Sequence, residues 1–491
     1  MAILEASNPM PHKSVAKNSI FNVIYTVVKL LFPLVMSIYV SRILSVEGIG
    51  KVATANNLVS YFTVFAALGI PTYGIREIAK LKGKSPQKNR LFTELLLINA
   101  ISTVICTAIY LLIVVNVKLY SKDLVLYLCC GISIVFNFIN IDWLYKGNEE
   151  YGYITVRSII IKMLSLLCIF VFVRCREDYI VYALITCLAN GANYIFNIIH
   201  ARKYVRVEFS QLHLRRHLKP IFILLLGIFF SSVYSKIDIT MLGVISGESS
   251  TAYYSYAHRI VEMALMGCTA ISEVFLPRLS YTYRHNRAEF YEILSTGIQI
   301  LIFLSFPIMV GLVLLAPQII TLLYGVNFAP AAVSLQIMSV LVVVKSIGDL
   351  VCYQLVICTG NEKKRIPAYA FAAMTNVAFN LILIPKFAQN GAVIASIASE
   401  LIVNISVFIS IKKVVAVPVH LNSIVMGVAT SMLMGGVVYG ICSLQIPLII
   451  QISFAVLGGI VIYFGANLLF KNSILCKAIK TIIKKRSRDT N

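Results

Sequence analysis

Fourteen stretches of about twenty mostly apolar residues follow one another along this chain, and little else separates them. A helix rises 1.5 Å per residue, so about 20 residues cover the roughly 30 Å of bilayer hydrocarbon. The stretches run 19–41, 52–71, 91–115, 124–143, 154–173, 179–199, 220–245, 252–275, 293–316, 333–357, 367–387, 391–411, 420–443 and 446–470. Lipid gives a bare backbone nothing to bond with, so runs of this length are expected as helices. The expected fold is an all-α polytopic membrane protein with about 14 transmembrane helices. Only 13% of the residues are charged, against about 25% in a soluble domain.

The net charge of +22 could suggest a nucleic-acid partner, but its placement argues against one. Alternate short connections, taken as inner, hold 30 of the 43 Lys and Arg, and the others hold 7. That asymmetry is the positive-inside pattern and predicts both termini on the cytosolic side of the membrane. The opening run after Lys13 and Lys17 is longer than a signal-peptide core and reads as an uncleaved span.

A basic stretch, HARKYVRVEFSQLHLRRHLK over 200–219, reads as a cytosolic linker or strap between two lobes. The expected organisation is a six-helix lobe over 1–199, the strap, a second six-helix lobe over 220–415, an extra helix pair over 416–470 and a basic tail over 471–491. Gly147-Asn148-Glu149 and Gly360-Asn361-Glu362 each follow the fourth span of their half. The turns Ser45-Val46-Glu47-Gly48 and Ile245-Ser246-Gly247-Glu248 likewise correspond. Duplicated bundles of this kind are common among transporters.

No P-loop, HExxH or nucleophile elbow stands out, and no connection is long enough to fold as a catalytic domain. The reading is not an enzyme, with no cofactor and no metal. The eleven cysteines show no CxxC or Cys/His ligand spacing, and most sit in apolar runs as small apolar residues.

Ionisable groups inside spans cost about 2.5–3.5 kcal/mol each on insertion scales and usually face an interior or a water-filled cavity. Lys29, Lys162 and Lys236 have no acid three or four residues away, and Arg259 and Lys345 are further cationic candidates for substrate binding. Lys345 with Asp349, and Arg259 with Glu262, have the spacing of pairs that neutralise each other on one helix face. Arg157, near the inner interface, reads as snorkelling to headgroups. Asp238, Asp349 and Glu400 are candidates for ion coupling. Asn57, with Tyr61, and the stripe Asn190, Asn193 and Asn197 are candidates for a polar cavity lining, as are Asn376 and Asn380; helix–helix hydrogen bonding is the bland alternative. Tyr253, Tyr254 and Tyr256 read most simply as an interfacial aromatic belt. The groups with no acid at helical spacing are cationic, so a cavity lined by them is expected to attract anions such as a diphosphate.

Several motifs carry a resemblance over essentially the whole chain. They are Asn18-Ser19, then Ser41-Arg42-Ile43-Leu44-Ser45-Val46-Glu47-Gly48-Ile49-Gly50. Next come Leu68-Gly69-Ile70-Pro71 with Arg76-Glu77-Ile78-Ala79, and Asp142-Trp143-Leu144-Tyr145-Lys146-Gly147. The second lobe adds Asp238-Ile239-Thr240-Met241-Leu242-Gly243 and Tyr254-Ser255-Tyr256-Ala257-His258-Arg259-Ile260. In these the chain resembles the Wzx-type O-antigen and polysaccharide-repeat flippases, in the superfamily that includes the MATE drug exporters and lipid II flippases. The resemblance implies transfer of an undecaprenyl-diphosphate-linked oligosaccharide to the outer leaflet by alternating access. It also implies a bacterial inner membrane location and work alongside polysaccharide polymerase and chain-length proteins. No set of functional residues carries over from the family. The alternatives are an ion-coupled drug exporter of the same fold, disfavoured by the cationic sign, and a membrane enzyme or assembly partner on the same pathway.

Overall fold

The computed structural model describes residues 28, 31–81, 86–361, 364–418, 420–472 and 475–476, and shows helices and no strand among them. Two compact units emerge, one of residues 1–48 and 54–232, the other of 49–53 and 233–491. Unit 1 starts with α1 (Leu31–Ile43), α2 (Val46–Ala67) and α3 (Ile70–Lys80). It continues through α4 (Pro86–Asn116), the short α5 (Lys118–Ser121), α6 (Leu124–Phe136), α7 (Asp142–Gly147), α8 (Tyr151–Phe172) and α9 (Tyr179–Ala201). The helix α10 (Arg215–Ile245) runs from unit 1 into unit 2. Unit 2 holds α11 (Glu248–His285), α12 (Arg287–Tyr324), α13 (Ala331–Met338), α14 (Val340–Gly348), α15 (Leu355–Cys358), α16 (Arg365–Lys412), α17 (Leu421–Cys442) and α18 (Leu448–Leu469).

Among the described residues, twelve helices are long and apolar enough to cross a membrane. The predicted fourteen spans meet these twelve in two ways. The first span, 19–41, is represented by the shorter α1 and by Val28, and the rest of it, with Lys29, lies outside the described residues. The eleventh and twelfth predicted spans share the 48 residues of α16, which is broken at Ala388 (φ 48°). Asn380 and Ser396, sixteen residues apart, both bond to Asp238. A straight helix would separate them by about 24 Å, so α16 folds back on itself as a hairpin. A side chain at Gly391 would sit 2.3 Å from the Leu383 carbonyl oxygen, which is why the turn carries glycine.

Local chemistry explains the element ends. Ser45 caps α2 by accepting from the Gly48 N–H at 3.1 Å. The matching turn of unit 2 uses Gly247 at φ 88°. One predicted connection is not a loop. α11 and α12 each run 38 residues and continue as helix through the basic stretch 278–292, with Asn286 capping α12 through the Glu289 N–H. The fourth predicted crossing of each half is irregular toward its C-terminal end. In unit 1, a 3₁₀ turn at Asn137–Ile139 separates α6 from α7, and in unit 2 a π-helical segment at Asp349–Gln354 separates α14 from α15. Such breaks in regular helix often mark functional positions.

The core of unit 1 explains why its motifs occur together. Trp143 packs on Gly74, where a Cβ would lie 2.6 Å from the indole, and Gly147 leaves room for Ile78 in the same way. Tyr73, Ile78, Phe92, Leu95, Trp143 and Tyr145 belong to one buried cluster. In unit 2 the main cluster joins Leu294, Leu301, Leu350, Leu355, Val403 and Val407 from α12, the irregular crossing and α16.

Candidate functional site

In unit 2, α10, α11 and both arms of the α16 hairpin converge on Asp238. Its carboxylate is buried (4% exposed). It accepts from Tyr254 Oη at 2.8 Å, from Asn380 Nδ2 at 2.7 Å and from Ser396 Oγ. Asn380 Nδ2 also donates to Asn376 Oδ1 at 3.0 Å, and Asn380 Oδ1 is buried with no partner among the described residues. The result is a carboxylate inside a span held by two hydroxyls and an amide N–H, with one buried amide oxygen beside it. A carboxylate and an amide oxygen are acceptors suited to a proton or a hard cation. Asp238 is thus the ion-coupling candidate with the most complete surroundings, and Asn380, aligned with Asn376 in the sequence stripe, bonds to it and to Asn376.

The cationic candidates of unit 2 have partners that local spacing did not reveal. Lys345 lies 3.9 Å from Glu400 Oε2, a residue of the hairpin's second arm, rather than pairing with Asp349 four residues on. Tyr234 donates to the same Glu400 oxygen at 2.9 Å. Asp349 instead accepts from Gln354 Nε2 at 3.4 Å, across the π-helical segment. Glu262 faces His258 Nδ1 at 3.8 Å, while the Arg259 guanidinium lies over the Tyr256 ring at 5.3 Å. Lys236 stands half-buried on α10, two residues from Asp238 and so on a different face of the helix. Of the three tyrosines expected as an interfacial belt, Tyr254 and Tyr256 are core residues and Tyr253 is half-buried. Tyr254 is bonded to Asp238, and Tyr256 is buried and stacked on Phe328 at 4.7 Å.

Unit 1 has a counterpart built from α7, α8 and α9. Asp142 accepts from Asn197 Nδ2 at 2.6 Å and from Arg157 Nη2 at 3.3 Å, and Arg157 Nε donates to Asn193 at 3.2 Å. Arg157 is 7% exposed, so it does not snorkel to headgroups. The reason is geometric. Asp142 begins a new helix after the 3₁₀ turn and so points its carboxylate at the guanidinium. Arg157 Nη1 and Asn197 Oδ1 are buried without partners among the described residues. Asn190, the third member of the stripe, is exposed. Lys162, a turn and a half beyond Arg157, has its Nζ 3.5 Å from the Val28 carbonyl and 5.4 Å from the Phe32 ring centroid. Asn57 is buried on α2, where Ser60 donates to its carbonyl.

The strap is ordered on unit 1, which sequence reasoning missed. Glu94, fully buried on α4, accepts from the His213 N–H at 2.6 Å and from Arg216 Nη2 at 2.6 Å, and faces His217 Nε2 at 2.8 Å. Tyr73 Oη lies 2.7 Å from His217 Nδ1. Asn89 and Thr93 accept from the Arg206 and Glu208 N–H groups, and Arg90 pairs with Glu208 at 3.1 Å. Bonds from Ser210 and Arg90 hold the Glu208 carboxyl below its ordinary range. The available signal was the acid at the start of a span, Glu94, opposite six strap cations.

The sequence matches the polysaccharide biosynthesis protein family over residues 15–283 and the lipid II flippase MurJ family over residues 165–458. A protein of Escherichia coli (strain K12) that carries the name O-antigen transporter is 25% identical over 391 residues, covering 78% of this chain and 94% of that one. Among solved structures, lipid II flippase MurJ in an inward closed conformation aligns with a TM-score of 0.79 at 16% identity, covering 93% of this chain and all of that one. An inward-facing MATE-family multidrug transporter aligns with a TM-score of 0.63 at 15% identity, covering 80% of this chain and 97% of the other. At these identities the structural likeness establishes the fold.

Proposed function

The chain belongs to the polysaccharide biosynthesis protein family and is a Wzx-type flippase of lipid-linked polysaccharide, and from that premise we propose that its cargo is an undecaprenyl-diphosphate-linked oligosaccharide carried from the inner to the outer leaflet. The observation that carries the reading is the match to an O-antigen transporter along 94% of that protein. The cationic residues of the spans add to it. Lys162, Lys236, Arg259 and Lys345 favour an anionic cargo such as a diphosphate with acidic sugars, where a carrier of organic cations needs unpaired acids. Lys29 belongs to the same proposal on sequence alone. The lipid tail stays in hydrocarbon, so only the polar head needs shielding.

Transport is by alternating access, and Asp238 is the group that couples it to an ion gradient. A buried carboxylate surrounded by Tyr254, Asn380 and Ser396 changes its bonding when a proton or cation arrives. Glu400 is a weaker candidate because it already faces the Lys345 ammonium, and Asp349 because only the Gln354 amide reaches it, at 3.4 Å. The location that goes with this reading is the cytoplasmic membrane of a bacterium, with both termini inside and with the polymerase and chain-length proteins acting on the product.

The test is complementation of a strain lacking its own surface-polysaccharide flippase and supplied with the cognate sugar genes. The wild type restores surface polymer. Lys162→Ala or Lys236→Ala lowers it at matched expression, and Asp238→Asn abolishes its dependence on the ion gradient. Restoration by every variant would leave the flippase and remove these residues from it. Failure of the wild type, with resistance to cationic drugs instead, would select the exporter reading favoured by the shared fold.

A further inference from the structure

One face of unit 2 carries an apolar groove of about 380 Å³ between α12, α14, the second arm of α16 and the start of α17. Its walls are aliphatic and aromatic, with Ile302, Val344, Ile405 and Phe408 among them, and Ile405 is 56% exposed. Polar groups gather at one end. His420 lines the groove there, with Ser295 Oγ 2.9 Å from its Nε2 and Gln299 Nε2 3.3 Å from its Nδ1. Lys412 and Lys413, both exposed, end α16 just before the segment that returns through Val417 and Pro418 to His420. The other polar side chain lining the groove, Asn404, already donates to the Val344 carbonyl.

The groove therefore pairs a dry trough with an end where a hydroxyl and an amide bond an imidazole, and Lys412 and Lys413 follow the lining residue Phe408 by four and five residues, about one helical turn on. Leu401 to Phe408 rises about 10 Å, two thirds of the roughly 15 Å of hydrocarbon in one leaflet. The basic segment 412–418 belongs to the inner set by the charge pattern, which places the trough in the inner leaflet. Basic pockets between transmembrane helices on the cytoplasmic side suit anionic lipid headgroups.

We propose that this groove binds an anionic phospholipid of the inner leaflet, with an acyl chain along Ile405 and Phe408 and the phosphate at His420, Lys412 and Lys413. A zwitterionic lipid fits the trough equally well but leaves the two ammonium groups without a net anionic partner. The site is independent of the cargo and of the ion-coupling carboxylate.

Full-length protein equilibrated with vesicles of equal phosphatidylglycerol and phosphatidylethanolamine, then examined by native mass spectrometry, tests this. The wild type retains phosphatidylglycerol in preference, by about fivefold for each lysine engaged. Lys412→Gln/Lys413→Gln, at exposed positions, equalises the two lipids while leaving lipid bound. Ile405→Trp fills the trough from its lipid-facing side and lowers retention of both. Equal retention of the two lipids by the wild type overturns the proposal. So does a phosphatidylglycerol preference that survives the lysine changes. Loss of preference in the lysine variant with no effect of Ile405→Trp also overturns it, because the lipid would then be held at the surface and not in the groove.

Discussion

Removing the Glu94 carboxylate tests whether the strap is a fixed part of unit 1. Glu94 is fully buried, and three donors converge on it from the strap and the start of α10. Arg216 is 53% exposed at its side chain, so its bond competes with water and contributes about 0–1 kcal/mol. His217 is 4% exposed, and Tyr73 holds its far nitrogen. Deleting one partner of a buried pair costs about 3–5 kcal/mol, which is the expected loss for Glu94→Ala. Glu94→Gln keeps an oxygen for the His213 N–H, and its amide can donate to His217 once the imidazole reverses tautomer. That exchange of a charged for a neutral hydrogen bond costs about 1 kcal/mol.

The assay is built in. Trp143 is the one tryptophan of the chain, and it lies in the buried cluster that also holds Tyr73, Leu95, Val205 and Ile221. Its emission follows unfolding of unit 1 in detergent. A unit of this size shifts its Tm by about 2–4 °C per kcal/mol, so Glu94→Ala lowers it by about 6–20 °C, while Glu94→Gln and Arg216→Ala each lower it by about 2–4 °C or less. Equal shifts for Glu94→Ala and Glu94→Gln would refute the carboxylate anchor, as would a shift under about 2 °C for Glu94→Ala.

Gly74→Ala drives a methyl to 2.6 Å from the Trp143 ring; the overpacking costs about 1–3 kcal/mol, and Trp143 emission moves to longer wavelength if the indole is displaced. Gly391→Ala meets the Leu383 backbone at 2.3 Å and opens the α16 hairpin. Labelling of the buried thiols Cys268 and Cys352 in unit 2 accelerates by about 5- to 150-fold, and an unchanged rate would mean that the turn tolerates a side chain. Glu208 gives a pH dependence. Its carboxyl is held low in the folded strap by Ser210 and Arg90, so the stabilisation is present above the unfolded value of about 4.3 and is lost as pH falls through the folded one. Hydrogen exchange of strap amides, corrected for intrinsic rates, rises on the acid side in the wild type, and Arg90→Gln removes most of that pH dependence.

The helices were legible because hydrocarbon leaves the backbone no choice, and the reversal inside α16 was legible because Lys386 and Asn390 interrupt two apolar runs. The pairing of charges was not. Spacing within one helix matched Lys345 with Asp349 and Arg259 with Glu262, and left Arg157 to the headgroups. The structure pairs Lys345 with Glu400, Arg157 with Asp142 and Asp238 with both arms of the hairpin. An ionisable group inside a bilayer must find a partner, yet in a bundle the nearest one lies on the next helix, 8–10 Å between axes and at any distance along the chain. A rule that looks three or four residues along the sequence therefore detects only the pairs that a helix could make alone. Contacts held between helices, unlike those along one helix, change when the helices move. Lys345 and Glu400, on separate helices and at 3.9 Å rather than in tight contact, are placed to do so.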